Sequence, residues 1–171
     1  MDSISKTRTV RVDRVEASGT IRTAWGEQSR TRLSSADTLG TLSILDYRAP
    51  ANFGPPRHLH RVDDEIFLLM QGELVLWSPE KCDTAKPGDL VLLPKGVPHT
   101  WRAYGPDSVH MQVIASAGKF ESFFEDIVWQ GLTADKIEAL TAVAADAGMD
   151  LLGPPLSDED VTTILAGARV A

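Results

Sequence analysis

The stretch "GPPRHLHRVDDEIFLLMQG" (Gly54 to Gly72) contains two histidines one residue apart, a glutamate five positions later and then an apolar run. His58 and His60 are two of only four histidines in the 171 residues of the chain. In a β-strand, side chains two positions apart point to the same face. The pair therefore predicts two imidazole rings aimed at one point from the start of a strand.

A carboxylate and a third imidazole can reach the same point. The residues "RVDD" between His60 and Glu65 are enough for a bend, so that Glu65 can return to the same interior. Further along, in "PGDLVLLPKGVPHTW", Pro94 and Gly96 predict a tight turn, and His99 begins the strand that follows it. If this strand folds back in an antiparallel sheet, His99 faces the same cavity.

Three imidazoles and one carboxylate form a ligand set for a divalent transition metal. Such a set suits Fe(II), Mn(II), Co(II), Ni(II) or Zn(II), and the lack of a thiolate argues against a structural zinc site. The alternative is that these histidines lie in the core or on the surface without binding an ion. The combination of the paired histidines with a spaced glutamate and a glycine-punctuated third histidine favours one metal ion per chain.

The composition is that of an ordinary globular protein, with 43% hydrophobic and 24% charged residues. The length predicts a single domain over residues 1–171. The net charge of -7 argues against nucleic acid as a partner, because phosphate binding needs a concentrated basic surface. The one cysteine, Cys82, excludes an internal disulfide and fits a reducing compartment; it lies in a polar loop, and we assign it no role.

The first residues, "MDSISKTRTVRVDRVE", lack the apolar region of a signal peptide, and no apolar run reaches the ~18 residues that a membrane span needs. We therefore expect a cytoplasmic protein without a membrane partner. The basic residues of this segment alternate with Val10, Val12 and Val15. This pattern favours an edge strand over a basic arm that binds nucleic acid.

Short apolar stretches separated by Gly, Pro and Asp predict a mainly β protein. Six or more strands without intervening helices are typical of an antiparallel sandwich or barrel, whose core we place at about 38–116. The stretches of strand length are 41–49, 65–71, 73–78, 89–94, 99–104 and 109–116.

A helical tail is predicted at about 119–171. Apolar residues recur there at helical intervals up to Gly131, which ends the first helix. Thr133 is the expected N-cap of a second helix and Gly148 its C-terminal stop, and Ser157 opens the last helix. We expect these helices to pack on the outside of the β-structure.

The histidine-rich stretch resembles the first motif of the cupin superfamily. That motif runs Gly, five residues, His-x-His, three or four residues, Glu, six residues and Gly. The chain matches it at His58, His60, Glu65 and Gly72, whereas Gly54 lies three residues before His58.

The second stretch resembles the second motif of the same superfamily. Gly88, Pro94, Gly96 and His99 match its spacing in full, and Ala103 stands where the family has a supporting asparagine. The resemblance implies a small double-stranded β-helix, the cupin or jelly-roll barrel, with a metal at its centre. It implies that the ligands are His58, His60, Glu65 and His99.

Longer segments, 55–77, 92–124 and 144–156, are similar to the single-domain bacterial cupins grouped with quercetin 2,3-dioxygenase. This resemblance implies an enzyme that oxidises a flavonol-like, phenolic or enolic small molecule with O₂. It also implies a homodimer that associates through the N-terminal strands.

Residues around the expected metal suggest the chemistry of a pocket. Glu65 is the candidate general base, since a carboxylate beside the metal can take the proton of a substrate hydroxyl. Strand parity places Phe67 on the same face as Glu65 and Trp101 on the same face as the third histidine, while Tyr47 and Phe53 lie near the barrel mouth. The four aromatic residues are candidate substrate contacts, and the alternative is that they are simply core.

Two other functions remain open. The same ligands serve redox-neutral cupins, which include isomerases, decarboxylases and cyclases, and a non-catalytic cupin can hold a metal or small molecule without turnover. The fourth histidine, His110, is interpreted as a hydrogen-bonded or exposed residue and not as a ligand.

Overall fold

The computed structural model describes residues 9–14, 21–24, 26–117 and 120–168, with the backbone alone at 21–24 and 168. The strands are β1 (Ile21–Ala24), β2 (Glu27–Leu33), β3 (Leu42–Ala49), β4 (Arg57–His60), β5 (Glu65–Gln71), β6 (Glu73–Trp77), β7 (Cys82–Ala85), β8 (Leu90–Leu93), β9 (Thr100–Tyr104), β10 (Val109–Ser116) and β11 (Met149–Gly153). A short 3-10 helix covers Ser35–Thr38, and the α-helices are α1 (Phe120–Gln130), α2 (Ile137–Asp146) and α3 (Asp158–Ala168).

The strands form two facing antiparallel layers. The first is a six-stranded sheet in the order β1-β2-β3-β10-β5-β8. The second combines the pair β11-β4 with the sheet β7-β6-β9. These two parts are linked at His58 and His99, where each backbone N–H donates to the other residue's carbonyl, at 3.0 and 2.8 Å. The mainly β, antiparallel architecture with C-terminal helices is therefore confirmed.

Strict alternation along the central strands explains how the core forms between the layers. In β10 every second residue is buried, and β3 shows the same alternation from Ser43 to Ala49. Because successive side chains of a strand point to opposite faces, one face of the sheet is apolar and faces the second layer. The largest fully buried apolar side chains include Phe67, Leu45, Leu69, Leu74 and Met111.

All six predicted strand segments are present, with boundaries that differ by at most one residue at either end. The β-structure extends beyond the predicted core of 38–116, because β1 and β2 precede it and β11 follows it. The prediction also missed β7, whose sequence "CDTA" is polar. Backbone pairing with β6 makes β7 a strand, and an edge strand of this kind needs no apolar pattern.

The edge strand predicted at the N-terminus is wrong for residues 9–14, which form no strand. Val10 and Val12 are exposed, and Val15 lies outside the described residues. Side chains tie this segment to the body of the protein, since Asp13 pairs with Arg32 of β2 and Arg11 pairs with Asp37 at 3.1 Å. The basic segment is therefore held by ion pairs, not by a backbone ladder.

The predicted ends of the helices are mostly correct. Gly131 (φ 60°) follows α1 and Gly148 (φ 84°) follows the end of α2, both in the left-handed conformation that glycine adopts without strain. Ser157 caps α3, because its Oγ accepts from the N–H of Asp160 at 3.1 Å and its own N–H donates to the carboxylate of Asp160 at 2.8 Å.

The predicted N-cap at Thr133 is wrong. Helix α2 begins at Ile137, after Lys136, and no side chain caps it. Thr133 instead forms a turn, accepting from the N–H of Lys136 at 2.9 Å through its carbonyl. Among the described helices, none is long and apolar enough to cross a lipid bilayer.

The tail contains a strand as well as helices. β11 pairs with β4, so that Met149 lies opposite His60 and Leu151 opposite His58. Helix α3 packs on the outer side of the second layer, where Ile164 joins Val75 and Leu156 in a small separate core. The predicted packing of helices on the outside is therefore correct for α3.

Candidate metal centre and cavity

The paired histidines lie on β4, as the sequence pattern indicates. His58 and His60 are buried, whereas Leu59 between them is half-buried on the other face. The extended backbone of β4, held by β11 on one side, aims both rings into the barrel.

The bend after β4 returns Glu65 to the same interior. The Asp64 carboxylate accepts from the N–H of Lys95 at 3.0 Å, and the N–H of Asp64 donates to Ser116 at 2.9 Å. The N–H of Gly96 donates to the carbonyl of His60 at 2.7 Å. These bonds tie the bend to the turn that precedes His99.

The structure brings the four predicted ligand side chains together in the buried interior. The ligand atoms of His58, His60, Glu65 and His99 all lie within 4.8 Å of one another. One carboxylate oxygen of Glu65 is 3.7 Å from Nε2 of His60 and 3.6 Å from Nε2 of His99. Two atoms that share an ion at about 2.1 Å are at most about 4.2 Å apart, so the two distances from the Glu65 oxygen suit one shared ion.

Hydrogen bonds set the ring nitrogen that two of the histidines present. Nδ1 of His58 is 2.8 Å from the carbonyl of Pro56, and Nδ1 of His99 is 2.9 Å from the carbonyl of Val97. A carbonyl only accepts, so in both rings Nδ1 carries the proton and Nε2 presents a lone pair. Such outer hydrogen bonds commonly orient the histidines of metal sites.

Several buried nitrogens at the centre have no hydrogen-bond partner among the described residues. They are both ring nitrogens of His60 and Nε2 of His99. Buried polar atoms are nearly always paired, because an unpaired one loses its hydration without compensation. A bound cation would satisfy the lone pairs, so the four residues fit a divalent metal.

The protonation states also suit metal binding. Burial, with smaller contributions from His99 and His60, lowers the pKa of His58 to about 4, and burial lowers the pKa of His60. Burial by itself would raise the pKa of Glu65, but the neighbouring histidines hold it below its ordinary value. At neutral pH the rings of His58 and His60 are therefore neutral and the Glu65 carboxylate is ionised, which are the forms that bind a metal.

A cavity of about 290 Å³ opens from the candidate metal centre. His58 and Glu65 form part of its wall, so a ligand in the cavity can reach the centre from that side. The four aromatic residues named as candidate substrate contacts all line it: Tyr47, Phe53, Phe67 and Trp101. The Trp101 ring contacts the other three. Its centroid lies 6.0 Å from that of Tyr47, 5.9 Å from that of Phe53 and 6.2 Å from that of Phe67.

Helix α1 lines the cavity, which corrects the expectation that the helices pack only on the outside. Phe120, Phe123 and Phe124 form part of the wall, and the Phe120 ring lies 5.1 Å from the ring of His60. The helix is amphipathic, and its aromatic side closes the inner face of the barrel. Exposed lining residues, Ala134 and Ile137, mark the opening towards solvent.

Glu27 is a cavity residue that the sequence did not reveal. It lies at the start of β2, is 1% exposed, and lines the cavity. Neither of its carboxylate oxygens has a hydrogen-bond partner among the described residues. Burial raises its pKa to about 7.

The raised pKa of Glu27 predicts a pH-dependent stability. Between its ordinary value of 4.5 and about 7, the folded state binds more protons than the unfolded state, so this group's contribution to stability falls as pH rises. Glu27→Gln does not titrate, and its stability relative to the wild type is expected to rise by on the order of 3 kcal/mol across that range. Urea unfolding of both chelator-treated proteins at pH 4.5, 6 and 8 measures the difference, and an unchanged difference would contradict it.

His110 is hydrogen-bonded, as interpreted, whereas Cys82 begins strand β7 and does not lie in the predicted polar loop. His110 hydrogen-bonds to Asp46 on the neighbouring strand and stands outside the cluster of four. Cys82 is an exposed free cysteine on β7, and burial of its thiol, with smaller effects from its neighbours, raises its pKa. A raised pKa reduces the thiolate fraction, which is the reactive form.

The family model of the cupin domain matches residues 47–115, which contain the four clustered side chains. No curated protein sequence matches the chain significantly.

Solved structures share the fold at low sequence identity. KdgF from Halomonas sp. has 17% identity and a TM-score of 0.53, over 60% of this chain and 92% of that chain. The polyketide cyclase RemF from Streptomyces resistomycificus has 20% identity and a TM-score of 0.53, over 64% and 80%. A protein from Thermotoga maritima, described as a predicted oxalate decarboxylase, has 18% identity and a TM-score of 0.54, over 58% and 93%. Together with the domain match, these likenesses show that the chain has the cupin jelly-roll fold, with a cupin domain at residues 47–115.

Proposed function

We propose that the protein is a metal-dependent enzyme that oxidises a phenolic or enolic aromatic small molecule with O₂, in the manner of the quercetin 2,3-dioxygenases that its sequence resembles. The ligands in this proposal are His58, His60, Glu65 and His99. The observation that carries it is the opening of this buried cluster, through His58 and Glu65, onto a cavity with aromatic walls.

The donor set defines what a bound ion would contribute. A divalent cation lowers the pKa of an enol or phenol oxygen, and a redox-active one supports electron transfer from the resulting anion to O₂. The protein's own part is to receive the proton, and Glu65 is the group placed for it. Its carboxylate is ionised at neutral pH and lines the cavity.

The walls select the shape of the substrate. Tyr47 and Phe67 each meet Trp101 edge to face in the cavity wall, with interplanar angles of 86° and 84°. Apolar aromatic walls exclude water and favour a flat ring system. The volume of about 290 Å³ fits a small molecule and not a peptide or a nucleic acid.

A redox-neutral reaction on the same class of molecule is the second candidate. It is favoured by Glu27, because a buried carboxyl group whose pKa is about 7 is suited to proton transfer without O₂. Cyclisation, isomerisation and decarboxylation belong to this class. The polyketide cyclase RemF has the same fold at 20% identity, which supports this candidate.

Metal analysis and O₂ uptake test the proposal. Protein purified without chelator or added metal is first assayed for bound metals, and the chelated protein is then reloaded separately with Fe, Mn, Co, Ni or Zn. We expect O₂ consumption with a flavonol or catechol for at least one redox-active ion and none for Zn. A broad panel that consumes no O₂ with any ion would reject the dioxygenase, whereas substrate conversion under nitrogen would establish the second candidate.

A further inference from the structure

Glu27 is an ionisable residue in the mostly apolar wall of the cavity. Its neighbours in the cavity lining include Tyr47, Phe53 and Met111, and it is 1% exposed. Neither carboxylate oxygen has a hydrogen-bond partner among the described residues. A buried carboxyl group in this condition destabilises the fold, because its own backbone N–H offsets only a small part of the effect of burial.

The strand register places Glu27 far along the cavity from the metal centre. Through β10, Glu65 is level with Ser43 of β3. Tyr47 lies four residues further along β3 and pairs with Ser29 of β2. Glu27 is two residues beyond Ser29 in the same direction and therefore on the same inner face. The two carboxylates stand at opposite ends of this face, with the phenol of Tyr47 between them.

Both carboxylates border the same cavity as Tyr47, because Glu27, Tyr47 and Glu65 all line it. Burial raises the pKa of the Tyr47 phenol, and the charges of Glu27 and of Glu65 raise it further. The strand register therefore puts one carboxyl group towards each end of a mainly apolar cavity.

We propose that Glu27 is a substrate-binding residue that accepts a hydrogen bond from a hydroxyl group at the end of the substrate remote from the metal. The inference rests on the proposed function for the class of substrate, a phenolic or enolic aromatic molecule. It adds that the molecule carries a second hydroxyl, separated from the metal-binding oxygen by an aromatic ring system. The ligand hydroxyl replaces the hydration that the carboxyl group loses on folding. Above its pKa of about 7 the group is ionised, and hydrogen bonds to charged acceptors are the stronger ones, so binding is compared at pH 8.

A matched pair of flavonols tests this assignment in the metal-loaded protein. 3-Hydroxyflavone carries only the metal-binding hydroxyl and ketone, and 3,4′-dihydroxyflavone adds one hydroxyl at the far end of the molecule. Dissociation constants are measured for both by quenching of tryptophan fluorescence, in the wild type, Glu27→Gln and Glu27→Leu. Glu73→Gln, at an exposed glutamate on β6, is the matched control.

The wild type and the Glu73→Gln control are expected to bind the dihydroxylated probe about tenfold more tightly, which is the scale of one hydrogen bond to a charged group. Glu27→Leu is expected to remove this preference while binding 3-hydroxyflavone at least as well. Glu27→Gln keeps an acceptor oxygen and is expected to retain part of the preference. A preference that survives in Glu27→Leu would overturn the assignment, as would a wild type that binds neither probe.

Thermal unfolding of the metal-loaded, ligand-free proteins gives a second readout. If Glu27 serves the ligand, Glu27→Leu is expected to unfold at a higher temperature than the wild type, because it removes an unpaired buried carboxyl group. A marked drop in the unfolding temperature would show a structural role and overturn the inference. O₂ uptake is recorded on the same samples. A Glu27-dependent preference without O₂ uptake supports the inference and rejects the dioxygenase. O₂ uptake without that preference supports the dioxygenase and rejects the inference.

Discussion

Replacing His60 by glutamine is expected to reduce the metal content of the chain from about one ion to almost none. His60 is fully buried, and neither ring nitrogen has a hydrogen-bond partner among the described residues, so a bound ion is the partner that we expect for the lone pair of its ring. Loss of one of four ligands weakens a site of this kind by orders of magnitude. Elemental analysis after gel filtration measures the metal that remains.

The stability of the loaded protein should change in the same experiment. An ion present at a hundred times its dissociation constant stabilises the folded state by about 2.7 kcal/mol, or roughly 5–10 °C in a protein of this size. This increase is expected in the wild type and absent in His60→Gln. Because the imidazole makes no hydrogen bond to the described residues, the chelated variant should lose much less stability than the metal contributes to the loaded wild type.

His110→Gln is the control for this prediction. His110 is the fourth histidine and hydrogen-bonds to Asp46, outside the cluster of four. We expect its metal content and its stabilisation by metal to match the wild type. Equal metal content in His60→Gln and His110→Gln would contradict the ligand assignment for His60.

Replacing Glu65 by glutamine is expected to reduce turnover by about 10²–10⁴-fold while most of the metal is retained. The amide oxygen of glutamine can still approach the ion, and the three imidazoles remain. The amide cannot take a proton, so the step assigned to Glu65 is lost. The comparison is made with the substrate identified in the O₂ uptake panel, at saturating metal, and metal content is measured on the same sample.

The result distinguishes a proton acceptor from a ligand that only holds the ion. Loss of both metal and turnover would show that Glu65 acts as a ligand alone, and unchanged turnover would reject it as a base. Glu73→Gln, which changes an exposed carboxylate on β6, is expected to match the wild type in both measurements. Addition of excess metal should not restore turnover in Glu65→Gln if proton transfer is what has been lost.

Much of the candidate metal centre could be predicted from local sequence patterns. The His-x-His spacing places two rings on one face of any strand, and the structure places them on β4. The turn signals before Glu65 and His99 correctly marked the points where the chain folds back. His99 lies beside His58 because of a single β-bridge between segments about forty residues apart. No local sequence pattern predicts this pairing.

Glu27 shows where local patterns fail. The first six residues of β2, in "EQSRTRL", are all polar, so the sequence does not distinguish the inner face of the strand from the outer one. Burial of Glu27 follows from pairing with β3 and from the helices and aromatic residues that close the cavity. The same reason explains β7, whose polar sequence becomes a strand through its neighbour.

The sequence by itself determined the β-rich architecture, the positions of the central strands, and a set of three imidazoles and one carboxylate with the spacing of a metal site. These features depend on the two-residue period of a strand and on the conformations of glycine and proline, which act within a few residues. Only the tertiary structure decided that α1 packs against the candidate metal centre, that β11 of the tail pairs with β4, and that Glu27 lines the cavity. Each of these features depends on contacts between segments that are distant in sequence. The burial of a residue there depends on which segment packs against it and not on the type of the residue.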